Sequence, residues 1–221
     1  MLYDEKWIKF RRQTWPFRFI PFVELALAAG SMAIGNVSPK SDFDVIVAAK
    51  TGRIFTARAS AILVFGLLGW RRKKLSHKED AADLICLNHF VTERSFRLSG
   101  PHDRYWQTLY KNLVPVYGNI DRINQFFTAN ADWSGAGVFH DDLRLRHSHR
   151  HKSLPKFFLE KFLSGWFGNR LESFLKIIQI RRIERGLAND PPGYQPRIIY
   201  NDDELEFHPD TARIAKLNET L

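Results

Sequence analysis

The sequence predicts an α+β fold, a mixed β-sheet with flanking helices followed by a mainly helical region, and three features carry that expectation. A β-branched run at residues 43–49 and an apolar run at residues 84–92 read as buried strands, because Val, Ile and Phe bounded by polar turn residues fit a pleated, covered surface. Between them residues 57–68 read as a helix that Gly69 stops, with Arg71, Arg72, Lys73 and Lys74 in a loop beyond it. From 154 to 185 apolar residues recur at helical spacing, among them Leu154, Phe157, Phe158, Phe162, Trp166, Phe174, Ile177, Ile178 and Ile180. That is the stripe of a long amphipathic helix, with Gly165 or Gly168 as the place for a break.

The remaining elements are set by local chemistry. Residues 22–29, apolar apart from Glu24, suit a strand or short helix ending in a tight turn at Gly30-Ser31, with Ser31 placed to cap the next element. Residues 37–41, with Pro39, read as a loop, and Thr51-Gly52 ends the 43–49 strand. Residues 53–55 read as a short returning strand, and residues 101–114 as a helix closed by Pro115 and Gly118. Ser99-Gly100-Pro101 marks a boundary between residues 1–100 and a mainly helical region at 101–221. The tail from Asn189, with Pro191, Pro192 and Pro196 followed by Asp202, Asp203 and Glu204, reads as irregular.

Composition narrows the class. With 44% hydrophobic and 14% aromatic residues in a chain of 221, a buried core is expected and a disordered chain is excluded. The net charge of +9 and a pI near 9.8 attract phosphates, nucleic acid or an anionic surface without choosing among them. A single cysteine, Cys86, excludes an intrachain disulfide framework and points to a reducing cytoplasm. The longest uncharged stretch, residues 25–39, falls short of the roughly 20 apolar residues that span a bilayer. The first residues lack the pattern of a secretory signal.

One motif carries chemistry. Asp42 and Asp44 stand two apart at the start of the 43–49 strand, so period-two geometry turns both carboxylates to one side. Two hard oxygen donors side by side are what magnesium accepts while keeping positions for water and substrate phosphates. Upstream, Gly30 allows backbone to approach a ligand closely, and Ser31 offers a hydroxyl and amide donors suited to a terminal phosphate. Phosphoryl and nucleotidyl transfer ask little covalent chemistry of the protein, so a phosphate cradle beside a metal-binding pair is most of the apparatus.

Taken together, Gly30-Ser31-Met32-Ala33-Ile34-Gly35 and Ser41-Asp42-Phe43-Asp44-Val45-Ile46-Val47 resemble the nucleotidyltransferase superfamily that includes DNA polymerase beta, over residues 22–91. The resemblance implies a nucleotidyltransferase-type mixed sheet, a Gly-Ser pair that contacts the triphosphate, and an Asp-x-Asp pair that binds two magnesium ions, with manganese able to substitute. It also implies a third carboxylate on a neighbouring strand that helps activate an acceptor hydroxyl. Here the sequence departs: the 84–91 run has Asn88 near its centre and Asp83 only at its edge. Asn88 can lend a carbonyl oxygen to a metal but cannot act as a base, whereas Asp83 could do both.

The expected set is thus Asp42, Asp44 and Asp83 for catalysis, and Asp42, Asp44 and Asn88 for metal. Gly30, Ser31, Ser41, Arg53 and Arg58 are expected at the nucleoside triphosphate, such as ATP. Arg53 and Arg58 would balance phosphate charge, against the alternative of a solvated hairpin and helix face. The expected reaction moves a nucleoside monophosphate from the triphosphate to an unidentified acceptor hydroxyl, for which nucleic acid is one candidate. The alternative is a nucleotide- or nucleic-acid-binding protein on the same fold that has lost turnover. His147, His149 and His151, with His140 and Asp141, read as a solvated basic loop rather than a metal site. The 154–185 stripe reads as core packing or an oligomer seam ahead of a membrane-surface helix. Its Lys156, Lys161, Arg170, Lys176, Arg181 and Arg182 could steer a nucleic-acid acceptor.

Overall fold

In the computed structural model, which describes residues 2–73, 81–100, 102–135, 153–189 and 196–208, six strands form one mixed sheet. They are β1 (Val23–Ala28), β2 (Phe43–Ala49), β3 (Ile85–Thr92), β4 (Val114–Gly118), β5 (Arg197–Tyr200) and β6 (Glu204–His208), in the order β4-β1-β2-β3-β6-β5. Neighbours run antiparallel except β2 and β3, which are parallel and joined by the helix α3 (Ile54–Leu67), the crossover that a parallel pair requires.

Both faces of the sheet are covered, which is why its central strands read as continuous apolar runs. Along β2 the alternation sends Phe43, Val45, Val47 and Ala49 into one core and Ile46 and Ala48 into another. The first core is closed by α1 (Leu2–Gln13), the 3-10 turn at Trp15–Arg18, α3, and the inner sides of α6 (Leu154–Leu163) and α7 (Trp166–Ala188). The second is closed by Trp106, Leu109 and Tyr110 of α4 (Arg104–Lys111) and by Ile123, Phe126 and Phe127 of α5 (Ile120–Ser134).

Several expected elements take another form. Residues 53–55 are not a returning strand: Arg53 is the N-cap of α3, and the Glu172 carboxylate of α7 accepts the Phe55 and Thr56 amides at 2.9 and 2.8 Å. That supplies acceptors to the orphan donors of a helix start. The helix expected over 101–114 is only α4, capped by Asp103. It leads into the edge strand β4, a position that tolerates Pro115 because an edge strand has one unpaired side. The tail contains the β5–β6 hairpin, so strands from both sides of residue 100 build a single sheet. Ser31 lies inside the short helix α2 (Gly30–Ile34), whose N-cap is Ala29, and therefore does not cap it. Lys74, Pro191 and Pro192, and the 140–151 histidine segment lie outside the described residues.

The break in the C-terminal helices falls at Ser164-Gly165. Eight of the nine apolar residues named in the stripe, all but Ile180, face outward, so core packing is not what they supply. On the inner side, polar contacts join the apolar packing of Leu163, Leu171, Leu175, Ile180 and Ile183. Lys156, expected on a basic face that could steer a nucleic-acid acceptor, is instead fully buried and donates from Nζ to the Val23 carbonyl at 2.5 Å and the Tyr117 hydroxyl at 2.9 Å, while the Glu160 carboxylate accepts the Phe22 amide at 2.8 Å. Among the described residues no helix is long and apolar enough to cross a membrane.

Candidate metal and nucleotide site

The site sits where β1 ends and β2 begins, and the antiparallel pairing of those strands brings the two ends together. The Ala29 amide donates to the Asp44 carbonyl at 2.9 Å, so the turn at Gly30 is hydrogen-bonded to the residue that carries the second carboxylate. Gly30 has φ +59, a conformation that favours glycine, and a Cβ built on it would lie 2.1 Å from Asp44 Oδ2. The Asp44 carboxylate is therefore packed directly against the Gly30 backbone. Two motifs twelve residues apart in sequence meet at one point, as a phosphate turn beside a metal-binding acid would require.

Asp42 and Asp44 share one side of β2, and their carboxylate oxygens lie within 4.8 Å of each other and of Cys86 Sγ. Cys86 is opposite Asp44 in the parallel β2–β3 pairing, and the register shift just beyond keeps Asn88 close as well, with Nδ2 donating to Asp44 Oδ1 at 3.3 Å. Arg72 completes the group, pairing with Asp42 Oδ2 at 2.6 Å. Burial and the neighbouring Asp42 push the Asp44 carboxyl up to about 7, against the opposing pull of Cys86, Arg72 and Asn88. Burial, then the Asp44 and Asp42 charges, raise the Cys86 thiol well above its ordinary range, so it stays neutral.

The loop that delivers Asp42 is fixed from below. The Ser38 amide donates to Ser41 Oγ at 2.9 Å, and buried Lys6 of α1 donates to the carbonyls of Pro39 and Ser41, each at 2.9 Å. Lys6 also pairs with Asp83 Oδ1 at 2.7 Å, and Lys9 with Asp83 Oδ2 at 2.6 Å. Although burial opposes it, the two lysines hold the Asp83 carboxyl below its ordinary range. Asp83 is thus a clamp between α1 and the turn before β3, a poor proton acceptor, and not part of the Asp42/Asp44 cluster. Ser41 serves as a loop staple, its hydroxyl engaged with Ser38.

The two arginines expected at the triphosphate are committed to packing α3 on the C-terminal helices. Arg53 donates to Asn169 Oδ1 and stacks over the Phe22 ring, and Arg58 donates to Gln179 Oε1 at 2.7 Å and lies over the Phe207 ring. Burial lowers the Arg58 guanidinium to about 10, with Arg71 and Arg182 adding to the effect. The arginine at the acidic pair is Arg72, which sits in the basic run after Gly69 and reads locally as solvated.

The donor set fits one hard divalent cation. Two carboxylates with the Asn88 amide, whose oxygen takes the place of its nitrogen when the amide turns over, are hard ligands of the magnesium type. The Cys86 sulfur, a soft donor, is a poor match to such a cation. For the second ion of the expected pair, no third acidic group joins Asp42 and Asp44 among the described residues. Of the expected residues, Gly30, Asp42, Asp44 and Asn88 are brought together, with Ser31 next to Gly30 in α2, whereas Asp83, Arg53 and Arg58 are engaged elsewhere. No protein-family model, curated protein or solved structure matches the chain.

Proposed function

We propose that the chain is a metal-dependent nucleotidyltransferase, moving a nucleoside monophosphate from a nucleoside triphosphate to an acceptor hydroxyl. The observation that supports this best is the contact between Gly30 and Asp44, which brings the phosphate-cradling turn against the metal-binding acid. Asp42 and Asp44 hold magnesium, or manganese in its place, and Asn88 adds an amide oxygen. The bound cation supplies charge neutralisation and polarisation of phosphate oxygens. The turn at Gly30 and Ser31 receives the terminal phosphates, and Arg72, ion-paired with Asp42, places a guanidinium beside them. The acceptor oxygen forms a bond to the α-phosphorus, the bond to the bridging oxygen breaks, and pyrophosphate leaves while the hydroxyl proton passes to water.

A second reading is favoured by one observation: the strand position facing Asp44 holds Cys86 and Asn88, neither of which can serve as a carboxylate base. On that reading the site binds metal-nucleotide and does not turn it over. Isothermal titration with each nucleoside triphosphate and magnesium tests what both readings share. Binding is expected in the native chain and lost in Asp42→Ala/Asp44→Ala, and equal affinity in the variant would overturn both. Pyrophosphate release across candidate acceptors separates them: turnover abolished by Asp44→Asn selects the transferase, and its absence selects the binding protein.

Exposed Lys161, Arg170, Arg181 and Arg182 are the cations that a nucleic-acid acceptor would meet on the C-terminal helices. The outward apolar face of α6 and α7 is the surface through which the oligomer expected of residues 154–185 would form. The cytoplasm, where thiols stay reduced, is the compartment that this reading assigns.

A further inference from the structure

A second cluster of ligand-type side chains lies between β3 and β6. His89 and Glu206 face each other across the antiparallel ladder, and His208, two residues further along β6, turns to the same side as Glu206. One donor atom from each of the three lies within 4.8 Å of the other two. The His89 and Glu206 side chains are 3% and 1% exposed, and that of His208 is 20% exposed, so the group is buried with one side leading to solvent.

The surroundings orient these donors. Arg197 Nε pairs with Glu206 Oε2 at 2.7 Å, which directs the other oxygen towards His208, whose Nε2 is 3.0 Å from Oε1. That Nε2 atom is buried and meets no acceptor at a hydrogen-bonding angle. Glu204 Oε1 lies 3.1 Å from His89 Nε2 and its Oε2 accepts from Ser99 Oγ at 3.1 Å, while the Trp106 ring walls the site 5.1 Å from the His208 ring. Carboxylates behind ligating histidines are the usual means of fixing an imidazole for a metal. Two buried carboxylates, those of Glu204 and Glu206, thus stand among two imidazoles and one guanidinium, which gathers oxygen and nitrogen donors in one buried place. Two nitrogens and one oxygen suit borderline metals such as zinc and are a poor match to magnesium.

We propose that His89, Glu206 and His208 form a binding site for a divalent transition metal of the zinc class, fastening β6 to β3. The site is independent of the nucleotide reading and uses none of its residues. The test is a zinc titration of the chelator-treated full chain against a chromophoric competitor, together with the absorption spectrum of its cobalt(II) form. One equivalent is expected to bind, with cobalt bands in the visible and no thiolate charge-transfer band. Binding is expected to persist in Asp42→Asn/Asp44→Asn and in the triple variant His147→Gln/His149→Gln/His151→Gln. In His208→Gln, chosen because this partly exposed strand-end position is the one most tolerant of change, affinity is expected to fall at least about tenfold. Zinc is also expected to raise the melting temperature of the native chain and not that of His208→Gln. No binding by the native chain, affinity unchanged in His208→Gln, loss in either control variant, or a thiolate band in the cobalt spectrum would each overturn the assignment and leave the cluster as an ion-pair network only.

Discussion

Gly30 and Gly35 both have positive φ, +59 and +80, yet a Cβ on Gly35 meets nothing within 4 Å whereas one on Gly30 would enter the Asp44 carboxylate. Gly35→Ala is expected to cost about 1 kcal/mol, the strain of a left-handed backbone alone. Gly30→Ala adds displacement of Asp44, and is expected to cost at least about 2 kcal/mol and to abolish metal-nucleotide binding. Thermal unfolding and titration calorimetry of the two variants check this, and equal effects would remove Gly30 from the site. Asp83 gives a pH prediction. Its carboxyl is held below the ordinary value, so the stability it contributes is fully present above the usual carboxylate range and is lost as pH falls through the folded value. Asp83→Asn, which strips buried Lys6 of its counter-charge, should cost about 2–3 kcal/mol at neutral pH, below the full cost of a buried pair because Asp83 is 23% exposed. Its unfolding free energy should then fall less steeply in acid than that of the native chain, as chemical denaturation from pH 7 to pH 3 would read. Asp42, Asp44 and Gly30 were legible because two-residue spacing and glycine chemistry are local. Lys6 and Arg72 were not, since their partners are 35 and 30 positions away, and the neighbourhood of Arg72 reads as a basic loop.

Elements were legible where one period dominated. β2 has the predicted limits, and β3 and α3 lie close to theirs, because apolar residues dominate them. β4 was hidden by Pro115, which argues against a central strand but is tolerated on an edge. β6 alternates perfectly, Leu205 and Phe207 against Glu204, Glu206 and His208, but its buried polar face reads as solvent-exposed until His89 and Arg197 are seen to answer it. The bend between α6 and α7 was legible from its glycines, and their roles differ. Gly165 would meet nothing with a Cβ, whereas a Cβ on Gly168 would lie 1.6 Å from the Leu163 carbonyl oxygen. Gly165→Ala is expected to change stability by less than about 1 kcal/mol, and Gly168→Ala to cost about 3 kcal/mol or more, since backbone must move to admit the methyl group. Urea midpoints of the two variants test the difference. Similar midpoints would mean that α6 and α7 are not held together at that contact.

At the scale of the whole molecule, the sheet runs across the boundary expected at Ser99-Gly100-Pro101. The three strands that carry the site, β1, β2 and β3, occupy the middle of the sheet, and both strands that flank them come from beyond residue 100. Val114 and Val116 of β4 and Leu205 and Phe207 of β6 are buried in the same core as Phe43, Val45 and Phe90. On the other side of the site, Ala29, Ala33 and Ile46 share their core with α4 and α5. A fragment of residues 1–100 would therefore expose two unpaired strand edges and most of one sheet face, the condition under which a small sheet loses its stability and aggregates. The fragment is expected to give a collapsed amide spectrum, while the full chain unfolds in one urea transition that coincides by tryptophan fluorescence and far-ultraviolet circular dichroism. Magnesium-nucleotide, by holding Asp42 and Asp44 in the folded arrangement, should move that single transition to higher urea as a whole. Two separated transitions, with only the first one moved by ligand, would restore the division at residue 100 and make the C-terminal half an independent unit.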